Sequence, residues 1–184
     1  MVHLVRHFSL SFFYSICLLG VGKTRLCQQL CSSNKSLRYI NIIELARQQK
    51  FLLHYDDENQ CEILNDDAIN DYLDEEYFQN STGLLIDYHS AGLIPDANQI
   101  QGVVVLRCAE EILKERLKQG NSSTKKIEEN IQSEVFQMCL NEAREAFDES
   151  IVCQLDNTTE HDMNKNVEYL LKWIDRWPLN DPME

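Results

Sequence analysis

The sequence predicts an α/β fold with a five-stranded parallel sheet flanked by helices, and three observations carry that expectation. Short apolar runs of strand length alternate with stretches of helical periodicity between Ser15 and Ile174, the order in which parallel strands and their crossover helices follow one another. The run Gly20-Val21-Gly22-Lys23-Thr24 lies between the first apolar run and the first helical stretch, where a strand turns into a helix N-terminus and backbone amides can face an anion. The run Gly83-Leu84-Leu85-Ile86-Asp87 is apolar at successive positions and ends in a carboxylate, the pattern of a strand covered on both faces.

Taken in chain order, Ser15 to Leu19 reads as the first strand and Thr24 to Cys31 as the helix behind it. Leu37 to Asn41 is a short second strand and Ile42 to Gln49 a helix. Tyr55 to Glu76 is an acidic region whose second half, from Asp66, is helical. Gly83 to Asp87 and Val103 to Leu106 are the third and fourth strands, Glu110 to Lys118 is a helix, and the polar Gly120-Asn121-Ser122-Ser123 tract is a loop. Behind that loop, Ile127, Ile131, Val135 and Met138 fall on one face of a single long helix. Ile151 to Leu155 supplies the fifth strand. Val167, Leu170, Leu171 and Ile174 mark a closing helix, with Trp173 and Trp177 as packing residues.

A chain of 184 residues fits one domain, 1–184, with a substantial core. Hydrophobic residues make up 43% and charged residues 26%, which sets the chain apart from disordered and membrane-embedded classes. Seventeen Lys and Arg against thirty Asp and Glu leave a net charge of -13. Such a field repels nucleic-acid phosphates, so a basic protein partner is expected rather than direct, sequence-specific nucleic-acid binding. Seven cysteines, an odd number with no C-x-x-C pair, point to reduced thiols and a cytosolic or nuclear setting.

Phe8 to Leu19, preceded by His3, Arg6 and His7, has the outline of a signal peptide. It is too short to cross a bilayer, and cleavage behind it would cut at the glycine-rich loop, so no membrane association is expected. Its last residues are assigned to the first strand. Residues 1–14 are atypical, and the pyrimidine-rich codons of Phe, Ser, Leu, Tyr, Ile and Cys keep a translated intron end open as an explanation, which transcript sequencing across Cys17 to Gly20 tests.

The chemistry concentrates at the glycine-rich loop. Amides following Gly20 and Gly22 would surround phosphates, Lys23 would reach the β and γ oxygens, the Thr24 hydroxyl would ligate Mg²⁺, and the Arg25 backbone N–H would lie beside the α-phosphate. ATP and Mg²⁺ are the implied ligands. The full G-x-x-x-x-G-K-[ST] pattern asks for glycine at position 17, where this chain has Cys17, so a chance glycine turn stays open as the alternative. Asp87 ends its strand as a magnesium-linked carboxylate would, a turn-capping carboxylate being the other reading. His89, two residues on, stands at the carboxyl end of a strand, where α/β proteins bind their ligands. Cations for a second phosphate group are scarce: no Lys or Arg lies between Lys50 and Arg107, an interval with twelve carboxylates. A phosphate acceptor is left with Arg47, Arg107, Arg116, Lys125 and Lys126, each otherwise a solvated surface charge, and Arg47 is the first choice.

Together, G-V-G-K-T at Gly20 to Thr24, Y-I-N-I-I-E-L-A-R at Tyr39 to Arg47, I-D-Y-H at Ile86 to His89 and V-V-L-R at Val104 to Arg107 resemble the adenylate kinase isoenzyme 6 family. N-I-Q-S-E-V-F-Q at Asn130 to Gln137 and L-K-W-I-D-R-W at Leu171 to Trp177 extend the match from about Leu19 to Trp177. The resemblance implies a P-loop NTPase fold and a broad-specificity nucleoside monophosphate kinase, using AMP or another NMP, that is also an ATPase. It implies an NMP-binding region at 41–64 and a short lid at 119–129. It further implies a nuclear and cytoplasmic protein of small ribosomal subunit assembly and 18S rRNA processing, acting on pre-ribosomal particles through a basic small-subunit ribosomal protein. By the same resemblance Lys23, Asp87 and His89 are catalytic, Gly20, Gly22, Lys23, Thr24 and Arg25 hold ATP, Thr24 and Asp87 hold magnesium, and Arg47 contacts the NMP. Four departures stand out: Cys17 and Leu19 replace a Gly and a Pro, Gly120 replaces a lid Arg, and Pro95-Asp96-Ala97-Asn98 lacks the Arg and Trp that follow the Pro. They motivate an alternative, a catalytically impaired homologue that acts as a nucleotide- or ribosomal-protein-binding module.

Overall fold

A computed structural model of the chain describes residues 12–16, 19–58, 61–78, 83–93 and 100–176. Residues 1–11, Cys17, the Pro95-Asp96-Ala97-Asn98 stretch and Trp177, on which sequence expectations fall, lie outside the described residues. Five strands are present, the first of them earlier in the chain than expected: β1 is Phe12–Ile16 in place of Ser15 to Leu19, Leu19 lying in a turn and 52% exposed, and it is followed by β2 (Arg38–Asn41), β5 (Leu84–Tyr88), β6 (Gly102–Arg107) and β7 (Val152–Asp156). They form one sheet in the order β2-β5-β1-β6-β7, parallel at each pairing.

Side-chain alternation divides the core into two layers. Ile40, Leu84, Ile86, Val103 and Val105 face one side, where α2 (Ile42–Gln49), α3 (Asp66–Leu73) and α6 (Met138–Ala146) cover them. Leu37, Leu85, Val104 and Leu106 face the other, under α1 (Lys23–Ser33), α4 (Glu110–Gln119), α5 (Thr124–Val135) and α7 (Glu160–Arg176). Leu84, Ile86, Val103 and Val105 are fully buried, and each such side chain contributes roughly 1.5–3 kcal/mol of burial before chain entropy is set against it. The same alternation that sends Leu84 and Ile86 to one layer sends Asp87 to the layer of Leu85, beneath α1.

Two further departures from the sequence reading have local causes. The stretch before α3 is an antiparallel hairpin of β3 (Leu52–Asp56) and β4 (Cys61–Leu64). Its first strand is exposed along most of its length, so it lacks the inside–outside alternation that marks a strand. The single long helix is two helices, α5 and α6, separated at Phe136 and Gln137, where Gln137 adopts a left-handed φ of 56°. The corner turns Val135 (55% exposed) and Met138 (49%) to the surface beside Phe136, so only Ile127 and Ile131 of the expected apolar face pack inward. Among the described residues no helix is long and apolar enough to cross a membrane, and the described cysteines are free thiols.

Candidate active site

The loop before α1 turns on two glycines. Gly20 has φ 87° and Gly22 φ 104°, left-handed conformations that a side chain would strain. Gly22 is the N-cap of α1, which has neither a side-chain cap nor an acidic residue in its first turn. The first-turn amides have no partner within the helix, so the loop and helix together form an anion site of the kind that holds phosphate. Lys23 and Thr24 are the first two residues of that helix.

Asp87 stands across from this helix end. It is 1% exposed, and three donors converge on one of its oxygens, Oδ2: the Thr24 hydroxyl at 2.8 Å, the Tyr39 hydroxyl at 2.9 Å and Asn41 Nδ2 at 3.1 Å. The parallel register explains the gathering, because Asn41 lies directly opposite Asp87 and Tyr39 opposite Leu85. Tyr39 and Asn41 are two residues apart, and both project to the α1 side. Burial, and then the adjacent Asp87 carboxylate, push the Tyr39 phenol well above the ordinary tyrosine range, so it stays protonated and donates. Thr24 and Asp87 thus offer two hard oxygen donors next to a phosphate cradle, a set that suits Mg²⁺, which takes one or two protein oxygens and completes its shell with water and phosphate.

His89 follows at the end of β5, its ring centroid 4.2 Å from that of Tyr88. Desolvation, and after it the positive charge of Lys23, hold its imidazolium below the ordinary histidine range. The sequence-predicted catalytic residues Lys23, Asp87 and His89 are therefore brought to one end of the sheet. Burial raises the Cys139 thiol to about 11, so this cysteine near the site stays un-ionised.

The arginines divide differently. Arg25 forms a two-pronged exposed pair with Glu160, at 2.6 and 2.5 Å. Arg47, exposed on α2, pairs with Glu62 of the hairpin at 2.8 Å. Arg107 and Arg116, expected as substrate cations, have their guanidinium groups engaged by the protein itself. Arg107 Nε meets Glu134 Oε1 at 2.5 Å and its Nη2 donates to the Glu134 carbonyl. Arg116 donates to the carbonyls of Asn157 at 3.1 Å, Thr158 at 2.8 Å and, more weakly at 3.5 Å, Gly20. Lys125 reaches the Glu58 carbonyl at the hairpin turn.

Glu134 was missed in the sequence as a site-shaping residue, although it lies within the N-I-Q-S-E-V-F-Q run. Its carboxylate also accepts from the Cys108 backbone N–H, fixing the end of β6. Because its side chain is buried beside a poorly exposed guanidinium, Glu134→Ala is expected to lower unfolding free energy by about 3–5 kcal/mol. Urea titration measures this, and a loss under about 1 kcal/mol would mean that the pair behaves as a surface ion pair.

A parallel sheet, a glycine-rich loop opening a helix and a Thr–Asp pair that joins that helix to a strand end define a P-loop kinase fold. Solved structures share the fold: a gluconokinase from Sinorhizobium meliloti (TM-score 0.54, 14% identity, covering 94% of this chain and 99% of that one) and a shikimate kinase from Bacteroides thetaiotaomicron (0.58, 12%, 90% and 98%). A family model described as an AAA domain matches residues 17–137. Among curated relatives, the adenylate kinase isoenzyme 6 homolog of Schizosaccharomyces pombe is 33% identical over 161 residues, covering 88% of this chain and 90% of the relative. The homologs of Drosophila melanogaster (31%; 86% and 88%) and Caenorhabditis elegans (31%; 90% and 90%) are similarly close. The chain belongs to the adenylate kinase isoenzyme 6 family.

Proposed function

We propose that this protein is a nucleoside monophosphate kinase, converting ATP and AMP to two ADP, that also hydrolyses ATP. The observation that carries the reading is the meeting of Thr24 and Asp87, 2.8 Å apart, at the mouth of an uncapped helix whose first residue is Lys23. In this reading the α1 amides and the Lys23 ammonium hold the triphosphate. Thr24 and Asp87 hold Mg²⁺, which supplies charge neutralisation at the transferring phosphoryl group. His89, at the end of β5, would orient the acceptor oxygen. Positioning and charge neutralisation account for most of phosphoryl-transfer catalysis, so no covalent intermediate on the protein is needed. Arg47, exposed on α2, is the proposed contact for the acceptor phosphate within an NMP-binding region at 41–64, and 119–129 forms the lid. A coupled assay of purified protein with MgATP and a panel of NMPs tests the proposal: ADP formation stimulated by AMP supports it, and no nucleotide-dependent turnover with any NMP or with ATP alone overturns it.

The second reading, a binding module with weakened catalysis, is favoured by Gly120, which is exposed at the end of α4 where the family resemblance places an ATP-contacting Arg. A Cβ at Gly120 would sit 3.5 Å from the nearest neighbour, the Arg116 carbonyl, an ordinary contact, and φ there is -79°. Gly120→Arg is therefore expected to fold normally and to raise kcat/KM for ATP on the order of tenfold or more, since a preorganised cation at the phosphates carries effects of this size. Steady-state kinetics check this, and an unchanged kcat/KM would remove the missing cation as the cause of any weak catalysis.

The cellular role we propose follows from family membership and the charge of -13: binding a basic ribosomal protein during small-subunit assembly and 18S rRNA processing, in nucleus and cytoplasm. Depletion that leaves 18S precursor levels unchanged would overturn it.

A further inference from the structure

The phosphate-binding loop is gripped from behind by residues outside it. Asn157, in the turn between β7 and α7, is 1% exposed. Its Nδ2 donates to the Val21 carbonyl at 2.7 Å, and its own backbone N–H donates to the Arg107 carbonyl at 2.7 Å, anchoring the turn to the end of β6. Arg116, from α4, ties the Asn157 and Thr158 carbonyls together and touches Gly20 O. The amide of Asn157 fits against Gly22 so closely that a Cβ on that glycine would come within 2.6 Å of Nδ2.

A trans peptide is planar, with its C=O and N–H pointing in opposite directions. Holding the Val21 carbonyl toward Asn157 therefore turns the N–H of Gly22 to the opposite side, where the loop opens at the helix end. A second observation shows that the amide is there for this grip. Asn157 Oδ1 is buried without a hydrogen-bond partner among the described residues, a situation that costs stability. A residue needed only to fill the space would do better as leucine, which has similar volume and no orphaned oxygen.

We propose that Asn157 is a positioning residue for the phosphate-binding loop: its side-chain amide fixes the Val21 carbonyl and thereby aims the Gly22 N–H at the nucleotide phosphates. The inference rests on the reading of the loop as an ATP site and deepens it.

The test pairs Asn157→Leu with Asn157→Asp, each compared with wild type in calorimetric MgATP binding, in steady-state kinetics with ATP and AMP varied separately, and in thermal melting. Leucine removes one orphaned oxygen and creates another at Val21, so the melting temperature is expected to stay within about 3 °C. The KM and Kd for ATP are expected to rise roughly tenfold or more, the measure of a loop amide no longer aimed at its acceptor. The KM for AMP should stay within about twofold. Asn157→Asp, which sets a carboxylate oxygen against the Val21 carbonyl, should weaken ATP at least as much. A folded leucine variant that binds ATP like wild type overturns the proposal, as does a fall in affinity for both nucleotides that tracks a lowered melting temperature in both variants. If wild type itself binds no ATP, the reading of the loop fails and this inference fails with it. If wild type binds and both variants match it, only the role of Asn157 is lost.

Discussion

Alanine in place of Lys23 is expected to reduce ATP turnover on the order of a hundred- to a thousandfold while the protein stays folded. Lys23 opens α1 directly behind the left-handed Gly22, so its stem leaves the helix where the phosphates are held. Its positive charge bears on both His89 and Cys139, in keeping with a place beside the carboxyl end of β5. Three nearby arginines are held elsewhere: Arg25 is paired with Glu160, Arg107 with Glu134, and Arg116 donates to backbone carbonyls. Steady-state ADP production, alongside circular dichroism to verify the fold, measures the effect. Turnover within tenfold of wild type would show that the ammonium is not part of the reaction centre.

Gly22→Ala is the second large effect, and it combines loss of stability with loss of binding. An alanine would have to hold φ 104°, a conformation that costs L-residues about 1–3 kcal/mol. Its methyl would also lie 2.6 Å from Asn157 Nδ2, a contact neither group can keep, so either the grip on Val21 or the turn at Gly22 must give way. Overpacking of this kind adds roughly 1–3 kcal/mol. The variant is expected to melt about 5–15 °C lower and to show no saturable ATP binding at concentrations that saturate wild type. A variant that melts and binds like wild type would mean that the loop can adopt another conformation without loss. Gly20→Ala should be milder sterically, since its Cβ would meet only the flexible ends of Leu113 and Leu117, at 3.1 and 3.2 Å.

The framework of this fold is legible in the sequence because the signals are local. Helix α2 runs over Ile42–Gln49 as read, held by an Asn41 cap on the Glu44 N–H and a left-handed Lys50 behind it. Apart from β1, which was placed three residues late, the strands of the main sheet were recognisable as apolar runs because the sheet is covered on both faces. The hairpin at Leu52–Asp56 was not, since exposure of both its faces erases alternation. The corner between α5 and α6 was hidden for another reason: Gln137 supplies the left-handed turn without a glycine or proline to announce it.

In the candidate site, Lys23, Thr24, Asp87 and His89 could be named because short motifs carry them. Tyr39, Asn41, Arg116, Glu134 and Asn157 could not be given their places. Their roles come from partners dozens of residues away in the chain, such as Asn157 on Val21 or Tyr39 on Asp87. The intramolecular partners of Arg107 and Arg116 were hidden for the same reason, Glu134 lying on α5 and the Asn157 and Thr158 carbonyls in the turn after β7.

The sheet order carries a consequence for synthesis. Strand β1 leaves the ribosome well before both its neighbours, β5 and β6, which are encoded far downstream. Until Tyr88 has been made, β1 has no complete partner on one flank, and until Arg107, none on the other. Such long-range pairing is slow to form, and an unpaired apolar strand on a growing chain invites aggregation. The centre of the sheet thus stays incomplete until β6 has been made, and its last flank closes only when Gly102–Arg107 reaches β1.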